Sequence, residues 1–411
     1  MKVLFCDPEN TQNNFYIFTK FLRKKGIDAS LVIESGSKVP EVHRPYWHDT
    51  WLKDPASSPE WLHYMEFPLF IPYRHPLDYI AKQRRLLNFV RDYDIIACSG
   101  FTPIWIRWAR KPFIFFSFGA DLDQLAVQGW AGIPSYTSTL REKRLVHFLI
   151  QRHLTGSLRK ASAIVLSPYQ IETATRLGLK NLRFLPHIID TDLFKPMDYQ
   201  ERQQEKEKMR EKLKCDLIFF NPSRQIWTDR AIADCKGNDK LFRAFAKFLF
   251  ATRKQAKLVV IEKGWDLDAS KKLVNELGIT DHVVWTSPIT KPEMRRFYNI
   301  ADMVFDQFVL GVLALVSVES MACGTATFSY VAQAPKGLFY PEMPPMVNVN
   351  TEDEIFRGMC QFDENENMRN ELGEKCQKWV RQYCHPDVAI DKYVELFEEV
   401  LRTTRKSKSR I

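Results

Sequence analysis

The chain has 411 residues, of which 45% are apolar and 27% charged, with a net charge of +9. That balance excludes a disordered or fibrous chain and leaves room for a large core divided between two domains. The apolar run 308–316 is too short to cross a bilayer, no leader peptide is read ahead of Asp7, and the protein is expected in the cytoplasm.

Strand and helix alternate from the start. Residues 3–6 form a short apolar strand, and 14–25 carry Phe15, Phe18, Phe21 and Leu22 at helical spacing, with Gly26 as the stop. The polar segment 10–14 between them either lines an acceptor site or caps that helix. Further strands are expected at 29–33, 95–98, 113–116, 163–166 and 182–185, with helices between them, one over 170–177 closed by Gly178. Such alternation predicts a parallel sheet covered on both faces. Asp121, after the strand 113–116, either faces the ligand side and orients an acceptor hydroxyl or caps a helix. Residues 130–158 mix Arg141, Lys143, Arg144 and Arg152 with Leu145, Phe148 and Ile150. That stretch can rest on an anionic membrane and bring in a lipid-linked acceptor, but burial of its apolar side in its own domain is the favoured reading.

The pattern breaks at 186–196 and passes into a highly charged stretch over 200–214, read as a solvated helix or linker. The expected boundaries are 1–190 for the first domain, 191–215 for the linker, 216–384 for the second domain, and 385–411 for a C-terminal helix with a basic tail that can pack back on the first domain. Within 216–384 strands are expected at 217–221, 258–262, 283–286, 303–305 and 326–328. Helices are expected at 239–252, 268–277 and 317–323. Capping boxes at Thr290 to Glu293 and Thr351 to Glu354 open two more. The fold class is α/β: two doubly wound, Rossmann-like parallel-sheet domains facing a cleft.

Ligands of parallel sheets sit beyond the carboxyl ends of the strands. Arg224 and Lys236 with Gly237 follow the strand 217–221 and suit a diphosphate, because arginine can grip two oxygens while lysine supplies a point charge. Their plain alternative is a pair of solvated surface cations. Next come Glu262 and Gly264, where a glycine permits close backbone approach, and then Trp285, placed to read a nucleobase edge or to pack as a rim aromatic. Asp306, Gln307, Gly311, Val312 and Leu313 form the glycine-containing loop before a helix start that favours negative charge. Glu319, one turn inside, is better suited to accept hydrogen bonds from hydroxyls. Phosphate and hydroxyls at one helix start point to a nucleotide-sugar. Eight cysteines show neither a Cys-x-x-Cys pair nor a Cys/His cluster at metal-ligand spacing, so free thiols and no metal are expected.

The ordered set Pro186-His-Ile-Ile-Asp190, Phe194-Lys-Pro196, Asn221-Pro-Ser-Arg224, Lys236-Gly237, Ile261-Glu-Lys-Gly264 and Val318-Glu-Ser-Met-Ala-Cys-Gly324 resembles glycosyltransferase family 4. The resemblance implies the GT-B fold, a nucleoside diphosphate sugar donor, and retaining transfer to an acceptor hydroxyl without a required metal or other cofactor. It makes Arg224 and Lys236 the diphosphate pair and Glu319 the ribose ligand. The acceptor it implies is a glycan, a lipid-linked molecule or a small molecule. The chain departs from the family pattern in three places. The first glutamate of the paired-glutamate motif falls on Gly311, with Asp306 or Gln307 as the substitutes at hand. Phe118 stands where a histidine is common, and the glycine pair after the first strand is absent. A sugar-nucleotide epimerase and a degenerate binding domain are the rival readings. Nucleic-acid binding rests on net charge alone and is not expected.

Overall fold

A computed structural model of the chain describes residues 1–8, 13–35, 58–68, 76–119, 121–128, 140–230, 234–332 and 340–408. The chain divides into two compact units, Met1–Leu185 with Ala389–Ile411, and Pro186–Val388. Of the segments singled out above, 10–12, 130–139 and the tail end 409–411 lie outside the described residues.

The first unit is built on seven parallel strands, β1 (Lys2–Cys6), β2 (Asp28–Glu34), β3 (Leu62–Met65), β4 (Ile95–Cys98), β5 (Phe113–Phe116), β6 (Ala163–Val165) and β7 (Leu182–Arg183), in the order β3-β2-β1-β4-β5-β6-β7. β4 and β5 are buried at every position, as strands covered on both faces must be. Helix Asn14–Lys24 lays Phe15 on Phe5 at 4.9 Å between ring centroids. From helix Pro386–Lys408, Phe397 comes to 6.1 Å from Phe5, and Tyr393 stacks on Phe116 at 6.1 Å. Each such buried aromatic contributes about 1.5–3 kcal/mol by leaving water.

The second unit has six parallel strands, β8 (Leu217–Asn221), β9 (Ala256–Ile261), β10 (Val283–Thr286), β11 (Met303–Phe305), β12 (Thr327–Ser329) and β13 (Val347–Asn348), ordered β10-β9-β8-β11-β12-β13. Phe219, Phe245, Phe248 and Phe305 fill one face of the sheet, while Phe220, Tyr298 and Met321 fill the other. The charged stretch after the break is a helix, Tyr199–Leu213, capped by Asp198 and anchored by buried Lys206 and Met209. It belongs to the second unit. Both expected capping boxes form, at Thr290 with Glu293 and Thr351 with Glu354. The edge strands β3 and β13 were not anticipated.

In each sheet the strand order reverses once, between β1 and β4 in the first and between β8 and β11 in the second. At such a point the loops leaving neighbouring strands part in opposite directions and open a crevice. In the second unit the segments leaving β8 and β11 begin with Pro222 and Asp306, so the expected ligand residues converge there.

Candidate functional site at the carboxyl edge of the second sheet

A buried polar frame builds this crevice. Asn221, at the end of β8, donates Nδ2 to the carbonyls of Phe305 at 2.8 Å and Asp306 at 3.2 Å, tying the two central strands together. Its Oδ1 accepts from Asn238 at 3.3 Å. Asp306 is buried, and its carboxylate takes the Ser223 hydroxyl at 2.8 Å on one oxygen and the Ser317 hydroxyl at 2.7 Å on the other. Gln307 is also fully buried. Its amide nitrogen donates to the carbonyls of Val312 and Tyr330, and its oxygen accepts from the backbone of Val309 and Leu310 at 3.1 and 2.8 Å. Through these partners Asp306 and Gln307, the substitutes at hand for the missing glutamate, are turned inward and hold the loop that leads to helix Leu315–Ala322.

Gly311 has φ +65°, and a Cβ there would come within 2.8 Å of the Ala332 Cβ. Backbone and space both demand glycine, so the absent carboxylate is a steric consequence of this loop's path. Gly237 has φ +72° and sits where a Cβ would meet Val309 at 2.9 Å. Gly264, at φ +123°, lets its loop lie against the backbone of Gln225, whose nitrogen donates to the Lys263 carbonyl at 2.6 Å. The close approach expected of Gly264 toward a ligand is therefore made to protein backbone. Glu262 pairs with Lys271 at 2.6 Å, and Lys271 lies over the Trp285 ring. Trp285 packs near Phe242, as a rim aromatic does. The Val312 carbonyl is held by Gln307, and the Leu313 carbonyl lies 2.9 Å from His187 Nε2.

The cations are placed differently. The backbone of Lys236 bonds Ile226 at 2.6 Å and Phe308 at 2.8 Å, which pins it between the loops leaving β8 and β11. Its ammonium has no hydrogen-bond or ion-pair partner among the described residues. Burial lowers its pKa, Asp234 acts against that, and the neighbouring Arg224 pushes the same way as burial. Arg224 Nη2 meets Asp234 at 2.8 Å and remains partly exposed. Burial works to raise the Asp234 carboxyl, but Arg224 and Lys236 outweigh it and hold the group below its usual range. Lys263, on the loop leaving β9, is pushed down to about 8 by burial, with Arg224 and Lys291 adding to the effect. Glu319 is buried in the helix and pairs with Lys291, and it accepts the Tyr298 hydroxyl at 3.0 Å. Neither Lys291 nor Tyr298 was read from the sequence as a site residue. The signal for Tyr298 lay in its helical spacing, but the partner of Lys291 becomes visible only when helix Lys291–Ile300 docks beside helix Leu315–Ala322.

Asp121 lies in the first unit. Its carboxylate accepts from the Ser117 hydroxyl at 2.8 Å and from the backbone of Leu122, Phe118 and Gly100 at 3.0, 3.2 and 3.4 Å. Gln170 adds a bond to Ser117 at 2.8 Å. Four donors on one buried carboxylate make Asp121 a fastener between the loops after β4 and β5. Burial nevertheless raises its pKa to about 6, against those same hydrogen bonds.

Two parallel-sheet α/β units, each with its crevice at a carboxyl edge, define the GT-B fold. Residues 210–379 match the family model of glycosyl transferases group 1. The chain is similar to D-inositol 3-phosphate glycosyltransferase 1 of Catenulispora acidiphila, at 35% identity over 25% of this chain and 26% of that protein. It is also similar to an uncharacterized glycosyltransferase of Methanocaldococcus jannaschii, at 21% identity over 54% of this chain and 57% of that one. The chain thus spans between a quarter and somewhat over half of the length of these curated relatives. HepE of Anabaena, crystallised with UDP, superposes with a TM-score of 0.63 over 97% of this chain and 100% of its own, at 14% identity. That likeness extends the shared fold to nearly the whole chain. Among the described residues, no three His, Cys, Asp or Glu side chains converge to hold a metal, and no helix is long and apolar enough to cross a membrane.

Proposed function

We propose that this protein is a glycosyltransferase of the family 4 type, moving a sugar from a nucleoside diphosphate sugar to an acceptor hydroxyl with retention and without a required metal. The observation that carries this reading is the ammonium of Lys236, left without a partner among the described residues beside Arg224 at the carboxyl edge of β8. A half-buried unpaired cation is costly unless a ligand completes it. Arg224 and Lys236 would hold the diphosphate and stabilise the negative charge that builds on it as the glycosidic bond breaks. Glu319 would accept the ribose hydroxyls by exchanging its bond to Lys291, with Tyr298 keeping the carboxylate in place. HepE, crystallised with UDP and with UDP-glucose, supports a uridine nucleotide as the first donor to try.

The acceptor takes the sugar on the face from which the diphosphate leaves, and the leaving phosphate receives the acceptor proton. No enzymic nucleophile is then needed. The reading extends to a glycan, lipid-linked or small-molecule acceptor and a cytoplasmic setting. Incubation with a panel of UDP- and GDP-sugars and an acceptor mixture tests it, with the anomeric configuration of the product read by NMR. Transfer with retention in the presence of a chelator is the expected result. Inversion, strict dependence on added metal, or epimerisation of the donor without transfer would overturn it.

A further inference from the structure

The opposite edge of the second sheet carries another cationic site. At the amino ends of β11 and β12, next to Asp302 and Ala326, lies an open, polar recess. Arg202 and Lys206 reach it from one helix, one turn apart, and Arg369 from helix Glu366–Tyr383. Two carboxylates line it, Asp302 and Glu366.

Asp302 is already committed. Its buried carboxylate accepts the Ile218 amide at 2.9 Å and pairs with Lys206 at 2.6 Å and Arg210 at 3.2 Å. Arg202 uses Nε on the Asn299 carbonyl at 2.6 Å, and its two terminal nitrogens have no partner among the described residues. Arg369 uses one terminal nitrogen on the carbonyls of Phe362 and Asp363, and its other nitrogens have none among those residues. Buried Arg210 Nε is unpartnered as well. Three cations, Arg202, Lys206 and Arg369, thus meet two carboxylates around one solvent-open recess. Burial lowers the pKa of both Arg202 and Lys206, a desolvation cost that an incoming anion would offset. Anchoring the helices explains one nitrogen of each arginine, but not the remaining ones, and a guanidinium fork is suited to grip two oxygens of an oxyanion.

We propose that this recess binds a phosphate group, as a free ion or as the terminal group of a phosphate ester, independently of the nucleotide crevice. The test is a titration of the full chain with inorganic phosphate and, separately, with a sugar monophosphate, followed by calorimetry and thermal shift. Wild type is expected to bind phosphate alike with and without saturating UDP in the nucleotide crevice. Arg202→Gln and Arg369→Gln should each weaken binding by about tenfold or more, the effect of losing a charge-assisted bond. Glu366→Gln removes an exposed acid from the mouth and should tighten binding. Tighter binding of the monophosphate assigns the ligand to an ester, and equal binding assigns it to the free ion. The proposal is overturned if no saturable phosphate binding occurs, if saturating UDP abolishes it, or if it survives both arginine substitutions. Should Arg202→Gln or Arg369→Gln fail to fold, Glu366→Gln decides, and unchanged affinity there counts against the proposal.

Discussion

The two parallel sheets reverse strand order in the same way, yet the polar groups beyond the ends of β5 and β8 are treated in opposite fashion. In the first unit the Asp121 carboxylate is surrounded by four donors from its own chain. In the second, Lys236 is held firmly by its backbone while its ammonium is left without a partner among the described residues. A buried group whose hydrogen bonds are complete has no capacity left for a ligand, and its role is to fix loops. A group fixed by backbone and left unsatisfied at its tip is prepared for something that arrives later. The same contrast runs within the second unit, where Asp306 and Gln307 fall on the completed side and Lys236 on the other.

The strongest way to break this comparison is to restore the carboxylate that the family pattern places at Gly311. With φ +65° and the Ala332 Cβ only 2.8 Å from a new Cβ, Gly311→Glu should lower stability. The expected loss is about 4 kcal/mol, combining left-handed backbone strain with overpacking. A urea melt reads it. A variant as stable as wild type that also bound donor more tightly would show the loop to be adaptable and the inward roles of Asp306 and Gln307 to be dispensable.

A somewhat smaller effect is expected at Asp121. Its folded pKa of about 6 lies above the ordinary carboxyl value, so the folded state holds a proton that the unfolded state has released. That contribution is fully present below about pH 4 and is lost as pH rises to about 6, an effect on the order of 3 kcal/mol. Urea midpoints across that window should fall with rising pH, and Asp121→Asn should flatten the slope. A slope of opposite sign would mean that the four donors outweigh burial.

Much of this was legible in the sequence, for reasons that differ by residue. Strands such as β8 and β11 announce themselves as apolar runs because both faces are covered, and Thr290 with Glu293 carries its cap within four residues. Arg224, Lys236 and Glu319 could be picked out because each follows such a strand or opens a helix. The edge strands β3 and β13 were missed because an edge needs little apolar pattern: Leu62 to Met65 includes His63 and Tyr64, and Val347–Asn348 is only two residues long. The inward turn of Asp306 was equally hidden, since its partners Ser223 and Ser317 are distant in the chain and carry no pattern of their own. Gly264 was read as a site of close approach to a ligand, and the backbone it lies against is that of Gln225, which the sequence does not reveal.

The smallest expected effect sharpens the electrostatic side of the contrast. Lys263 has a pKa of about 8, so part of it is neutral in mildly alkaline solution. A bound diphosphate would favour its charged form, and nucleotide binding should take up a proton above that pH. Affinity should then weaken by on the order of 1 kcal/mol between pH 7 and 9.5. Calorimetry in buffers of different ionisation enthalpy measures the uptake. A pH-independent affinity with no proton exchange would place Lys263 outside the ligand's reach.

The central claim is that Lys236 awaits the donor diphosphate, and a nucleotide titration of wild type and Lys236→Ala meets it directly. UDP or GDP at a hundred times its dissociation constant should stabilise the wild type by about 2.7 kcal/mol. In Lys236→Ala that shift should vanish while the ligand-free melting point stays nearly where it was. Retained nucleotide stabilisation in the variant, or a ligand-free protein that melts far earlier, would contradict the account and make Lys236 a structural residue.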